Sequence, residues 1–313
     1  MADIITLQNF ARLLDRNLTK VLEDYLSPTK LVAPQLFGTD KTTRLGEEYW
    51  EVGAVPDIPK FDGRLQYISV SPGYYTKIET QEFAAGIMIE RRLIDTKQFR
   101  VMDNLQNGLA RSLARVKEKK AANILNYAFS AAWEFMSNEE GVALCGAHST
   151  KSGVPTTTGF TNYGTSALSK TSLAAARVAM MKFKDDIGEF FDVMPDTLIV
   201  PVALYDTACE ITGYDPRSGA ASEKDPTSAN NAINVLYKQF KVIPWIYLDT
   251  VSTSNWFLAD SRYLKQFIIW LDRIKEEHNT ITDFETFAIK HSIYSSFGCG
   301  WINWRGIYGS AVS

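Results

Sequence analysis

Cys145 and His148 come closest to a catalytic grouping, since a thiolate beside an imidazole can act as a nucleophile. They stand three residues apart in a polar loop, whereas nucleophile and base normally meet across a fold, so the spacing favours loop structure over catalysis. As metal ligands the two fall short of the four donors a structural zinc needs, and no second pair lies at finger-like spacing. Only three histidines occur, His148, His278 and His291, which restricts acid–base work near neutral pH. Asp185, Asp186, Glu189 and Asp192 offer oxygens to a hard cation such as calcium, though not at EF-hand intervals. A solvated turn closing a helix fits them better, with Gly188 in the left-handed backbone position. Walker, dinucleotide-binding, nucleophile-elbow and zinc-protease signatures are missing, and Gly298-Cys299-Gly300 lacks a third glycine and the helix context. No catalytic residue, metal ligand or cofactor is expected.

Charge narrows the partners. The 33 basic and 36 acidic side chains leave a formal charge of -3, unlike a protein that grips phosphates. Arg115, Lys117, Lys119 and Lys120 form a basic run, but Glu118 interrupts it and no aromatic platform lies among them, so a solvated helix face is expected. Hydrophobic residues at 45% and charged residues at 22% describe a folding chain, long enough at 313 residues for two lobes or one lobe with arms. No apolar run approaches the roughly 20 residues that span a bilayer, so no membrane partner is expected. Three widely spaced cysteines, with no N-terminal apolar signal, suit a reducing cytoplasm.

These residues must be held by recognisable elements. Residues 4–26 place Ile4, Leu7, Phe10, Leu14, Leu18, Val21 and Tyr25 at helical spacing, an amphipathic arm that packs either on its own core or on a neighbour. Residues 42–83 alternate like strands, notably over 65–70 and 75–80, and predict a long two-stranded excursion. An isolated ribbon is marginal in water, so it should lie against something else. Residues 98–129 predict one helix of about 45 to 50 Å, with Asp95 and Gln98 as its start signal. After a Gly-, Ser- and Thr-rich loop over 139–165, a second lobe should begin near Ser169 with an Ala-rich helix, the acidic turn, a buried strand over 197–202 and another helix. A polar connection over 213–231 precedes predicted strands at 235–240, 246–248, 256–258 and 267–271. The aromatic-rich end, 284–307, should return as antiparallel pairs. The seven Trp side chains, Trp50, Trp133, Trp245, Trp301 and Trp304 among them, read as core or subunit-contact anchors.

Three of these pieces together resemble the major head (capsid) proteins of tailed bacteriophages, especially the Mu-like branch. They are the segment from Lys184-Asp185-Asp186-Ile187-Gly188 through Pro195-Asp196-Thr197-Leu198-Ile199-Val200-Pro201 to Ala208-Cys209-Glu210-Ile211, the loop Cys145-Gly146-Ala147-His148-Ser149, and the end run Asn303-Trp304-Arg305-Gly306-Ile307-Tyr308-Gly309. The resemblance covers roughly the last half of the chain.

The resemblance implies an α+β chain with the Hong Kong 97 type capsid fold. Its parts would be an N-terminal arm (1–41), an extended β-hairpin loop (42–83), a peripheral lobe with a long spine helix (84–167), a central or axial lobe (168–265) and C-terminal strands returning to the peripheral lobe (266–313). It implies self-assembly into hexamers and pentamers of an icosahedral virion shell around double-stranded DNA, assembled in the cytoplasm of a bacterial host. A portal, a possible decoration protein and a separate scaffolding protein, or no scaffold, would complete the partners, since the arm helix opens directly at Met1. Phe10, Leu14, Tyr49, Trp50, Tyr67, Tyr75 and Lys77 become candidate inter-subunit contacts, and Tyr214, Arg217 and Lys224 a candidate loop near a local symmetry axis. Some members join subunits through a Lys–Asn isopeptide bond; Lys60 and Lys77 lie in the comparable region, although protection of a strand edge is the stronger reading. An encapsulin-type nanocompartment shell and a soluble Cys/His enzyme remain as alternatives.

Overall fold

The computed structural model describes residues 31–61, 63–65, 67–96, 99–213 and 234–312. In chain order its elements are helix α1 (Ala33–Leu36), strands β1 (Gly38–Lys41), β2 (Gly46–Val52), β3 (Pro72–Glu79) and β4 (Gln81–Ile89), and helices α2 (Arg91–Asp95) and α3 (Phe99–Asn126). Short strands β5 (Met136–Asn138) and β6 (Tyr163–Gly164) follow, then helix α4 (Lys170–Met180), strand β7 (Thr197–Val200), helix α5 (Tyr205–Thr212), and strands β8 (Lys241–Pro244) and β9 (Trp256–Ala259). Helix α6 (Ser261–Phe267), the long strands β10 (Ile268–Thr282) and β11 (Ile289–Trp301), and β12 (Ile307–Ser310) complete the described fold.

Three sheets result, ordered β1-β10-β11-β4, β6-β12-β9-β7-β8 and β2-β3-β5. Helix α3 packs between the first two. Its 28 residues span about 42 Å, and its C-terminal half carries Ala121, Ala122, Ile124 and Leu125 into one core with Ile199 and Phe257 of the five-stranded sheet and Phe297 and Cys299 of β11. The other face of the five-stranded sheet, Leu198, Val200 and Leu258, packs on Leu173, Ala176 and Met180 of α4 and Ala208 and Ile211 of α5. Strand β7 is apolar at Leu198, Ile199 and Val200 without alternation because helices cover both its faces. Helix α4 starts where Ser169 accepts from the Ser172 amide while the Ser172 hydroxyl accepts from the Ser169 amide. Gly213 ends α5 in the left-handed region, at φ 63°.

Several expected elements take another form. Residues 235–240 are a turn, not a strand: the Asn234 carboxamide donates to Ile211 O (2.7 Å) and accepts from the Leu236 amide (3.0 Å), and Lys238 sits at φ 53°. Ile246–Leu248 is a 3-10 turn rather than a strand. Residues 65 and 67–70, which alternate in sequence with 66, meet no partner strand and stay irregular. Residues 33–41, assigned to the arm, are built into the subunit: Leu36 and Phe37 are buried, and β1 runs parallel to β10. The C-terminal strands divide, because β11 pairs with β10 and β4 whereas β12 pairs with β9 and β6.

The basic run on α3 is not one solvated face. At 100° per residue, Arg115 and Lys119 share the exposed side while Lys117 points opposite. Lys117 Nζ lies 2.6 Å from Glu276 Oε1 and over the Phe297 ring, and Lys120 pairs with Glu134 at 2.7 Å. Burial alone would raise the Glu276 carboxyl, but Lys117 overrides it and holds the group below its usual range. Removing Lys117 strands a largely buried carboxylate. We predict that Lys117→Ala lowers the unfolding free energy of the dissociated subunit by about 3 kcal/mol in urea titrations, while Lys119→Ala changes it by less than about 0.5 kcal/mol.

Candidate assembly surface and its anchor

Strands β2 and β3 form the antiparallel base of the predicted excursion, Gly46 opposite Glu79 and Trp50 opposite Tyr75, and β5 flanks β3 on its other side. This base rests on its own molecule, where Ile78 is buried with Ile269 and Leu271 of β10. Gly298 permits the approach: a Cβ there would lie 2.4 Å from the Glu79 carbonyl oxygen. Beyond Val52 the chain leaves the sheet, and a row of apolar side chains faces solvent, with Ile58 89%, Phe61 73% and Tyr67 95% exposed. Trp50, 60% exposed, lies against Tyr75 with ring centroids 5.3 Å apart. The Tyr49 hydroxyl donates to Asp40 (3.0 Å), and burial together with that carboxylate pushes its pKa up.

The excursion is anchored by Arg305, 3% exposed. Its Nε donates to Lys184 O (2.7 Å), one terminal nitrogen to Glu51 Oε1 of β2 (2.9 Å) and the other to Asp186 Oδ1 (2.8 Å), while its plane lies over Trp304. Asn303 Nδ2 donates to the same Glu51 oxygen. The turn that supplies Asp186 is shaped by Asp185, whose Oδ1 accepts from the amides of Ile187 and Glu189 (both 3.0 Å), and by Gly188 at φ 92°. Gly188 therefore has the expected positive φ, but Asp186 is half of a buried ion pair rather than a solvated side chain.

Asn162 ties two more of the singled-out runs together. Fully buried, it donates to Leu144 O (2.8 Å), Trp304 O (3.3 Å) and Ile307 O (3.0 Å) and accepts from the Gly146 amide (2.8 Å). The loop 145–149 and the end run 303–309 are thus neighbours, and the His148 ring stacks on Trp304 at 4.4 Å with planes 3° apart. This arrangement separates Cys145 from His148 chemically. His148 Nδ1 lies 3.1 Å from Glu140 Oε2, and its Nε2 meets no partner, the thiol included. Cys145 packs on Gly309, and burial drives its thiol well above the ordinary value, which disfavours the thiolate.

The remaining candidates fall as follows. Lys77 lies on the central strand of its sheet, between Glu48 and Ser137, with Nζ 2.6 Å from Glu79 Oε1; it guards no edge. Lys60 is exposed on the excursion. Trp245 and Trp301 lie in one core and Trp256 and Trp304 in the other, and Trp133 packs partly buried against the first. Phe10, Leu14, Tyr214, Arg217 and Lys224 lie outside the described residues. Sequence reasoning passed over Glu51, Asn162 and Arg305. Arg305 left one signal: a single cation inside an aromatic run must find carboxylates if that run is buried. Among the described residues no group of His, Cys, Asp and Glu is placed to hold a metal ion, and no helix is long and apolar enough to cross a membrane.

The model of a family described as phage capsid protein matches residues 74–310, about three quarters of the chain. The chain belongs to that family. Among solved structures, one from Mycobacterium phage Patience aligns over 100% of this chain and 90% of its own, with a TM-score of 0.56 at 12% identity. The procapsid of bacteriophage JBD30 aligns over 99% of this chain and 77% of its own, with a TM-score of 0.51 at 14% identity. A virus-like particle from Pyrococcus furiosus aligns over 94% and 98%, with a TM-score of 0.51 at 9% identity. At such identities the likeness concerns the fold, which is the Hong Kong 97 type capsid fold. No curated protein matches by sequence.

Burial makes a prediction about the thiols of this phage capsid protein. Cys145 and Cys299, both buried with raised pKa values, should resist iodoacetamide at pH 8 in the native state and react on unfolding. Mass spectrometry of native and denatured protein reads this; rapid native alkylation of Cys145 would contradict the burial described here.

Proposed function

We propose that this capsid protein is the major head subunit of a tailed bacteriophage, arranged as hexamers and pentamers in an icosahedral shell around double-stranded DNA. The exposed apolar side chains of the excursion, Val52, Val55, Ile58, Phe61, Leu65 and Tyr67, carry the reading. A folded monomer gains nothing from holding Ile58, Phe61 and Tyr67 in water, whereas a neighbouring copy can cover them. Trp50 and Tyr67 then contact the neighbour directly, Tyr49, Tyr75 and Lys77 support them from the ribbon base, and Phe10 and Leu14 make a second clasp from the arm. Tyr214, Arg217 and Lys224 face a local symmetry axis.

The near-neutral charge suits a shell that confines DNA by geometry instead of neutralising its phosphates. In this reading the chain performs no catalytic step. It assembles in the bacterial cytoplasm with a separate scaffolding protein, joins a portal and possibly a decoration protein, and ends in the virion. The five parts are an arm (1–41, its end built into the subunit), the ribbon (42–83), a lobe with the spine helix (84–167), an axial lobe (168–265) and the C-terminal strands (266–313), the last shared between both lobes.

Burying one such side chain contributes about 1.5 to 3 kcal/mol, so a charge in the row should be felt at every subunit contact. Ile58→Asp combined with Phe61→Asp is expected to raise the protein concentration needed for shells by at least tenfold, with circular dichroism unchanged. Negative-stain microscopy reads the particles; normal yield from the double variant would refute the assembly role of the ribbon. Deleting residues 1–26 should likewise give lost or aberrant particles from a folded core, and normal particles would remove the arm from the clasp. Shells holding a cargo protein in place of DNA would favour a nanocompartment.

A further inference from the structure

The ribbon base meets the second lobe at a cluster whose charges do not balance. Glu51 on β2 and Asp186 on the acidic turn share one guanidinium, that of Arg305. All three line a cavity of about 370 Å3 whose apolar wall includes Trp50, Phe191 and Ile302. The charged groups around Glu51 can be named element by element. The acidic turn brings Asp186 and Asp185, the latter occupied with its own turn amides, and Lys184, whose ammonium lies over Phe190. The end run brings Arg305 and the carboxamide of Asn303. The loop before β6 brings Glu140, itself paired with His148. Strand β3 brings no charge: Gly73 faces Glu51, and a Cβ there would lie 2.8 Å from Glu51 Cβ. Both donors to Glu51 converge on Oε1, leaving Oε2 to carry a proton.

We propose that Glu51, Asp186 and Arg305 form a proton-gated latch: the ribbon base docks on the second lobe with a proton on Glu51 and loosens as pH rises past neutral. The proposal deepens the assembly reading, because the latched element is the one that carries the exposed apolar row. Burial is the largest influence on Glu51; Arg305 opposes it, Asp186 and Glu140 add to it, and the carboxyl is pushed from 4.5 up to about 7. Undocked and in water, Glu51 regains its ordinary value. The docked form therefore binds the proton more tightly, and the proton's contribution to docking is complete below about pH 4.5 and lost as pH rises through 7. Between pH 6 and pH 8 the docking equilibrium should weaken about tenfold. Acidification tightens this latch, contrary to an ordinary salt bridge, which weakens when its carboxylate gains a proton.

Hydrogen exchange of the amides in residues 46–52, measured on the dissociated full chain at pH 6 and pH 8 and corrected for intrinsic rates, tests the latch. Wild type should lose about tenfold protection at the higher pH. Glu51→Gln, neutral and of the same shape, should keep its protection at both, and Asp186→Asn, which removes the like charge, should move the loss to a different pH while Glu51 is retained. Equal wild-type protection at the two pH values, or a Glu51→Gln variant that loses as much as wild type, would overturn the latch. The exchange needs no particles. A failed latch with particle loss in the Ile58 and Phe61 variants leaves the assembly reading intact, and a working latch with normal particles from those variants removes it.

Discussion

A guanidinium taken out of water must have its donors met and its charge balanced, and that requirement at Arg305 organises the middle of this molecule. Its partners come from segments more than a hundred residues away in sequence, Lys184 and Asp186 on one side and Glu51 on the other. Each partner also has local support, β2 from its pairing with β3 and the acidic turn from Asp185, and Arg305 fixes how they sit against each other. The ribbon base, the acidic turn and the end run are therefore oriented by one side chain, with Trp304 beneath it stacking on His148 and carrying the order into the next loop.

The ribbon shows the opposite situation, an element whose needs are met only in part by its own subunit. β5 gives β3 a second neighbour and Ile78 gives the base a buried foot, so the base is more than an isolated hairpin. Further along, Val52, Val55, Ile58, Phe61, Leu65 and Tyr67 keep most of their surface exposed. Order at one end and unburied apolar surface at the other suit a member of a capsid family.

Helix α3 packs between the four-stranded and five-stranded sheets. Its buried polar side chains face specific partners: Glu118 Oε1 accepts from the Ala33 amide (3.0 Å) and Oε2 from the Trp245 indole (2.8 Å), which fixes where α1 begins and where β8 ends. Burial raises the Glu118 carboxyl, and these donors pull it back. A helix that looked solvated on its charged side is instead a wall shared by two sheets.

Local chemistry was legible in the sequence wherever it answered to a local cause. The period of α3, the proline-bounded strand expected over 197–202 and found at 197–200, and the positive φ of Gly188 each follow from a few adjacent residues, and the alternation over 75–80 showed strand β3. Alternation at 65–70 and β-branched or aromatic content at 235–240 and 246–248 misled because a strand exists only with a partner, and none arrives at those places. The burial of Lys117, the sharing of Arg305 by Glu51 and Asp186, and the separation of Cys145 from His148 were decided by tertiary structure alone. Charge pairing inside a protein depends on which distant carboxylate shares the same dry pocket, and no spacing along the chain encodes that distance.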